Sequence, residues 1–326
     1  MIPYVSGKRK NPGVMLSDVG QMIASKDVFD EASKKEFLWL LLRQRIDSSL
    51  QPTSVQTGQN IPGWSGFNEI MDAESSLMHR QSVIGYCEVI DKPPTELQVL
   101  YNVLKRSTEM ANEVRQEDVV IFFDQAMYAK ILEVIWKNPL EFERIVPCMG
   151  GFHVACTYMA VIGKRFKDAG LYDILIESGL LGSGSINGVI EGKHYNRAIR
   201  IHKVAYEALH QLRWEVFLQK LELMGDQTEL ADEIKLICED RNVSNRAIKR
   251  LSQKKEFTDI FQRYTEFCDN PDGPMAEYWS SYMKMVSILL QFIRATREGN
   301  WQLYLNSLKL MLPMIFAYDR LNYARY

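Results

Sequence analysis

The sequence predicts an α/β class in which helix dominates: a small, partly parallel sheet joined to a large helical lobe. Three observations predict this. Val119-Val120-Ile121-Phe122-Phe123 is a short run of β-branched and aromatic residues that stops at Asp124. Its unbroken apolar character predicts a central strand buried on both faces. Asp124-Gln125 then opens a helical pattern through Met127, Ile131, Leu132, Val134 and Ile135, which Asn138-Pro139 ends because proline cannot continue the ladder. Ile145-Val146 offers a second strand, Gly150-Gly151 a turn, and Phe152 onward another helix. Strand, helix, strand and helix in this order form a parallel α/β unit. From Leu171 onward the pattern is helical to the end.

In chain order, three segments follow. Residues 1–75 form a helical N-terminal segment with a long loop. Ser17 is placed to cap a short helix and Asp30 a longer one carrying Phe37, Leu38, Leu40, Leu41 and Leu42. Ser48 to Gly66 is rich in Ser, Gln, Thr, Gly and Pro and reads as a loop, with Trp64 and Phe67 pinning it to the core. Residues 76–170 form the small α/β core. Ser82–Ile90 is a candidate strand beside Val119–Phe123, and Pro93-Pro94-Thr95 breaks it. Thr95 is placed to cap a helix over about Glu96–Arg115. This order suits the second half of a ribonuclease H-like domain whose opening hairpin is not visible, an incomplete core, and many other α/β folds share it.

Residues 171–326 form an all-helical lobe. Asp173–Glu177 suits a short helix and Gly179–Gly188 a flexible loop. A long helix runs from Glu191 to Leu223, and further helices lie at about Glu229–Cys238, Asn245–Gln253, Phe257–Phe267, Ala276–Thr296 and from Trp301. Asp269 to Pro274 is a turn.

Composition sets the limits of function. Among 326 residues, 46% are hydrophobic and 25% charged, with a net charge of −2, so nucleic-acid binding requires a local patch rather than a global field. The cysteines Cys87, Cys148, Cys156, Cys238 and Cys268 are scattered with no CxxC, which argues against zinc and a disulfide framework and for reduced thiols. No apolar run approaches the ~18 residues of a membrane span. A soluble protein inside the cell, with the nucleus as one candidate place and no membrane partner, is expected.

Several phrases together carry a resemblance. They are Phe123-Asp124-Gln125, Met149-Gly150-Gly151-Phe152-His153, Ile162-Gly163 with Ala169-Gly170-Leu171, Gly192-Lys193 with Arg197-Ala198-Ile199-Arg200 and His202, and the ending Tyr318 to Tyr326. In this order the chain resembles a family dispersed in many copies through invertebrate and fungal genomes, which looks like the product of mobile elements and a divergent transposase. The resemblance covers the chain from about Trp64. It implies that longer relatives carry an Asp-rich motif upstream. This chain then reads as a fragment or domesticated remnant without the first catalytic acid.

Two-metal nucleases hold paired Mg²⁺ with several converging carboxylates, since Mg²⁺ demands hard oxygen ligands. Asp124, at the carboxyl end of its strand, is the candidate metal ligand and catalytic acid; the structural alternative is that it caps the following helix. His153, one strand over, is a candidate for orienting a phosphate; the alternative is a buried histidine bonded to the Gly150-Gly151 turn. Glu177, Glu191, Glu207 and Glu215 are candidates for a further carboxylate, with Glu215, after Trp214, preferred. No cofactor is expected apart from Mg²⁺ if the chain is a nuclease. On the long helix, Lys193, Arg197, Arg200 and Lys203 fall within about a third of the circumference and form a strip suited to DNA or RNA phosphates; the structural alternative is a solvated face with pairs such as Lys203–Glu207.

The function these readings favour is a mobile-element-derived, ribonuclease H-like nucleic-acid-binding protein, inactive as a nuclease. The other reading is a helical scaffold in which Asp124 and His153 are structural.

Overall fold

The computed structural model describes residues 26–44, 63–72, 84–223 and 245–324. The predicted Ser17 cap and the helix at about Glu229–Cys238 lie outside the described residues. Helices dominate. They are α1 (Lys26–Gln44), α2 (Trp64–Asp72), α3 (Leu97–Glu113), α4 (Gln125–Lys137), α5 (Gly151–Phe166), α6 (Leu171–Glu177), α7 (Ser183–Ile190), α8 (Tyr195–Leu223), α9 (Asn245–Ser252), α10 (Lys255–Asp269), α11 (Pro274–Glu298), α12 (Trp301–Ala317) and α13 (Leu321–Ala324). The strands are β1 (Val119–Phe123) and β2 (Ile145–Met149), which pair in parallel with Val119 opposite Ile145 and Phe123 opposite Met149.

The chain divides into two compact units. Among described residues, the first comprises those within Met78–Tyr158 and Leu312–Tyr326, and the second those within Gly20–Leu77 and Met159–Met311.

In the first unit, α3 and α4 pack on one face of the two-stranded sheet. Leu100, Leu104, Ile131, Val134, Phe142 and Ile145 form its core with Val119 and Phe123. The parallel crossover through α4 follows from the strand spacing, since parallel strands need a connection of a dozen or more residues. Arg144 ties the entry to both strands, donating to the Glu117 and Gln116 carbonyls and to Asn112 Oδ1.

Four expectations are corrected in this unit. The sheet has two strands among the described residues, so β1 does not take a central place beside a third. Ile84–Ile90, the described part of the expected Ser82–Ile90 strand, is irregular and exposed. Apolar, β-branched residues favour extended backbone, but only a ladder partner makes a strand. The expected burial of β1 on both faces also fails. Val119 and Phe123 point inward, whereas Val120 is 50% and Phe122 56% exposed. Glu96 rather than Thr95 takes the N-cap position of the helix after the prolines, and its side chain makes no capping bond.

In the second unit, α1 and α11 are central. Phe37 to Leu42 are consecutive buried residues, so the second half of α1 is apolar nearly all round, as a core helix must be, while its first half carries charged residues. Full burial of each leucine contributes about 1.5–3 kcal/mol. Asp30 falls inside α1 and does not cap it. The turn before α11 ends with Gly273 (φ +97°) and Pro274, and Gly299 (φ +66°) closes the helix, so proline opens and glycine ends it. Phe37, Trp214, Phe257, Phe261 and Tyr264 interlock with centroids 4.9–5.8 Å apart.

The expected Gly179–Gly188 loop is also corrected, because α7 occupies its second half. Its glycines disfavour helix, but Ile186, Val189 and Ile190 bury one face and outweigh them. The long helix begins at Tyr195, not Glu191, because Gly192 at φ +70° breaks the run.

A buried carboxylate binds four helices of this unit together. Glu36 on α1, 2% exposed, accepts from Trp64 Nε1 at 3.3 Å, Tyr206 Oη at 3.4 Å, Ser287 Oγ at 3.1 Å and Gln291 Nε2 at 2.9 Å. Arg294 lies close enough to favour its charge, yet burial dominates and raises its pKa to about 6. Two histidines of α8 are held neutral nearby. His202 Nδ1 meets Tyr282 Oη at 2.9 Å, and burial lowers its pKa to about 4. His210 Nδ1 meets Tyr264 Oη at 2.8 Å, and burial, with Arg213 adding, lowers its pKa to about 3.

Candidate nucleic-acid interface

The expected basic strip on α8 takes shape in part. Arg197 and Arg200 are exposed, and neither forms an ion pair or hydrogen bond among the described residues. Lys203, one turn beyond Arg200, is half-buried and sits with Nζ 5.5 Å from the centroid of the Trp64 ring. Lys193 departs from the strip. It lies in the turn before α8 and pairs with Glu191 at 2.6 Å.

Two cations from other helices join the strip. Arg297, at the end of α11, places Cζ 5.8 Å from the same Trp64 ring and donates to Ser65 Oγ. Arg43, near the end of α1, pairs with Glu207 at 3.6 Å. Burial lowers the pKa of Lys203, with Arg297, Arg43 and Arg200 adding and Glu207 opposing. Burial raises the pKa of Glu207, while Arg43 and Lys203 oppose. Arg43, Arg200 and Arg297 thus act on Lys203, while Arg43 and Lys203 act on Glu207, a carboxylate whose own ionisation is resisted.

Trp64 supports this cluster from beneath. It is buried, its Nε1 donates to Glu36, and its ring faces both Lys203 and Arg297. A cation over an indole face gains about 0.5–1 kcal/mol, or more when desolvated. Trp64 and Phe67 are buried, as expected of anchors, but they belong to α2 rather than to a loop. Tethering four like charges within one site costs free energy that an approaching polyanion recovers.

The expected catalytic residues divide between the units. In the first, Asp124 follows β1 and His153 lies in the first turn of α5 after β2, so both stand at the carboxyl edge of the parallel pair. Asp124 Oδ1 accepts from the Met127 amide at 2.8 Å and caps α4. His153 is exposed, which corrects the buried alternative, and its ring stands edge-on to Phe152 at 5.2 Å. Its backbone N–H donates to the Gly150 carbonyl, while Gly150 donates to the Phe123 carbonyl at 2.7 Å and locks the strand end. Glu215, on α8, belongs to the second unit and is exposed, as are Glu177 and Glu191. Among the described residues, no three His, Cys, Asp or Glu side chains are grouped to hold a metal ion. Cys148 and Cys156 are pushed above the usual thiol pKa by burial. No helix among the described residues is long and apolar enough to cross a membrane.

Sequence reasoning missed Arg43 and Arg297, and it read Trp64 only as an anchor. No local signal marks the two arginines, since each sits near a helix end where a cation is favoured in any case. A family model described as Domain of unknown function (DUF8702) matches residues 63–326. No curated protein and no solved structure matches the chain.

Proposed function

The chain belongs to the DUF8702 family, to which no activity is attached, and we propose on physical grounds that it binds nucleic acid through phosphates. The observation that carries this reading is the cluster of Arg43, Arg200 and Arg297 about Lys203, with Lys203 and Arg297 on the Trp64 ring, Glu207 paired to Arg43 and Arg197 exposed beside it. A chain of net charge −2 has no global pull on DNA or RNA, so a local cluster must supply the attraction. The bonds are to backbone phosphates and are sequence-independent, because arginine and lysine on a helix surface read charge before bases. The mobile-element resemblance and a ribonuclease H-like origin for the run from β1 to α5 are consistent with this reading and form part of the proposal.

Replacing Arg197 and Arg200 with alanine is expected to weaken binding to duplex DNA whatever its sequence. The slope of log affinity against log salt should fall by about 0.9 for each phosphate no longer neutralised, so by about two for the pair. Fluorescence anisotropy at several salt concentrations reads both quantities. Unchanged affinity and slope would reduce the cluster to a solvated surface.

The chain is expected to lack Mg²⁺-dependent nuclease activity. The Asp124 carboxylate is engaged by the Met127 amide, and one carboxylate does not offset the charge of two Mg²⁺ ions. The measurement is cleavage of single- and double-stranded substrates with Mg²⁺ or Mn²⁺, run beside Asp124→Ala. Metal-dependent cleavage that disappears in Asp124→Ala would overturn this expectation and give Asp124 a catalytic role.

A further inference from the structure

The second unit contains a cavity of about 790 Å³ bounded by α1, α8, α10 and α11, within the size range of small-molecule sites. It is independent of the cation cluster proposed above. Along its α8 wall run Tyr206, His210 and Arg213, spaced i, i+4 and i+7, so they line one helix face over about 10 Å.

Arg213 is the feature that calls for a ligand. Its guanidinium donates to the Ala276 carbonyl at 2.9 Å, to the Cys268 carbonyl at 3.5 Å and to Ser280 Oγ. All three are neutral acceptors, and no carboxylate pairs with Arg213 among the described residues. Its field is felt inside the cavity, where it adds to the depression of His210. Four of the other charges of the lining form two ion pairs. Lys34 pairs with Glu31 at 2.7 Å and Lys284 with Asp269 at 2.7 Å. Glu36 accepts from four donors and has Arg294 close by, while Asp30 and Glu266 are exposed. A partly buried guanidinium facing a cavity without a counter-charge is incomplete, because it forgoes the charge-assisted bonds that a carboxylate would provide.

The rest of the lining defines the body of the ligand. Phe37 and Tyr264 stack with centroids 4.9 Å apart, and Phe261 lies 5.5 Å from Phe37. Ile288 lines the same cavity from α11. Such a wall suits a flat apolar ring.

We propose that this cavity binds a small aromatic carboxylic acid, its carboxylate seated on Arg213 and its ring against Phe261 and Ile288. His210 and Ser280 provide the neutral hydrogen-bonding groups beside the anion.

The test is calorimetric titration of the full chain with indole-3-acetate, phenylacetate and benzoate, each beside its own uncharged amide. At least one acid is expected to bind saturably at one site, with its own amide at least tenfold weaker. Arg213→Met should lose at least tenfold affinity for the bound acid and Arg213→Lys should recover part of it. The comparison of acid with its own amide uses the unmodified chain, so it stands even if Arg213→Met fails to fold. Saturable binding by none of the acids, equal binding of acid and amide, or an unaffected and folded Arg213→Met would overturn the proposal.

Discussion

Gly163→Ala is expected to destabilise the second unit by about 3 kcal/mol or more, at the upper end of what overpacking costs. A Cβ at Gly163 on α5 would lie 2.0 Å from the Ile190 carbonyl oxygen and 2.8 Å from its carbon, at the end of α7. Both partners are helical backbone, so neither yields without moving a whole element. Alanine is the better helix former by about 1 kcal/mol, and the clash must exceed that gain for the sign to hold. Gly188→Ala is the internal comparison. Its Cβ would meet the His194 ring at 2.4 Å, but that ring belongs to an exposed side chain that can rotate away. Its cost should therefore be much smaller. Urea unfolding of the full chain, followed by helical circular dichroism, measures both. A Gly163→Ala protein within about 0.5 kcal/mol of the unmodified chain, the usual spread of neutral substitutions, would show that α5 and α7 do not approach this closely.

Glu36→Ala is expected to cost about 3–5 kcal/mol, the range for breaking a buried charged network by removing one partner. It strands the Trp64, Tyr206, Ser287 and Gln291 donors at once, and each buried donor left unpaired carries its own desolvation penalty. Because Trp64 also carries Lys203 and Arg297, the same change should weaken nucleic-acid binding without touching a surface cation. Glu36→Gln separates charge from shape. The folded pKa of about 6 lies above the ordinary 4.5, so the folded state holds this proton more tightly than the unfolded state. The corresponding stability is fully present below pH 4.5 and is lost as pH rises through 6. At about 1.36 kcal/mol per pKa unit this amounts to about 2 kcal/mol. The stability of Glu36→Gln relative to the unmodified chain should therefore improve by about 2 kcal/mol between about pH 4.5 and pH 7. Taking the difference between two proteins cancels His202 and His210, whose lowered pKa values act in the opposite sense. A difference independent of pH would rule out a titrating Glu36.

Much of the local structure is legible in the chain. β1 is readable because five β-branched and aromatic residues end abruptly at a polar one, and α4 because an apolar 3.6-residue period is closed by Asn138-Pro139. The turn at Asp269–Pro274 is readable because Asn, Pro and Gly restrict or free the backbone whatever surrounds them. Asp124 is legible as a candidate, but the choice between ligand and cap is made by the direction of one side chain, and Oδ1 points at the Met127 amide.

What the sequence by itself determined is therefore the helical dominance, the parallel β1–α4–β2 unit and the exposed pair Arg197 and Arg200 on a helix. These depend on neighbours within a few residues, where steric limits and hydrophobic period act directly. Only the tertiary structure decided that 84–90 has no ladder, that 183–190 is helix, and that Arg43, Trp64, Lys203 and Arg297 form one cluster. In each case the deciding partner is remote in the chain. A strand needs another strand's backbone, a glycine-rich helix needs a core to offset its entropy, and charges far apart in sequence become one field only when packing brings their helices together.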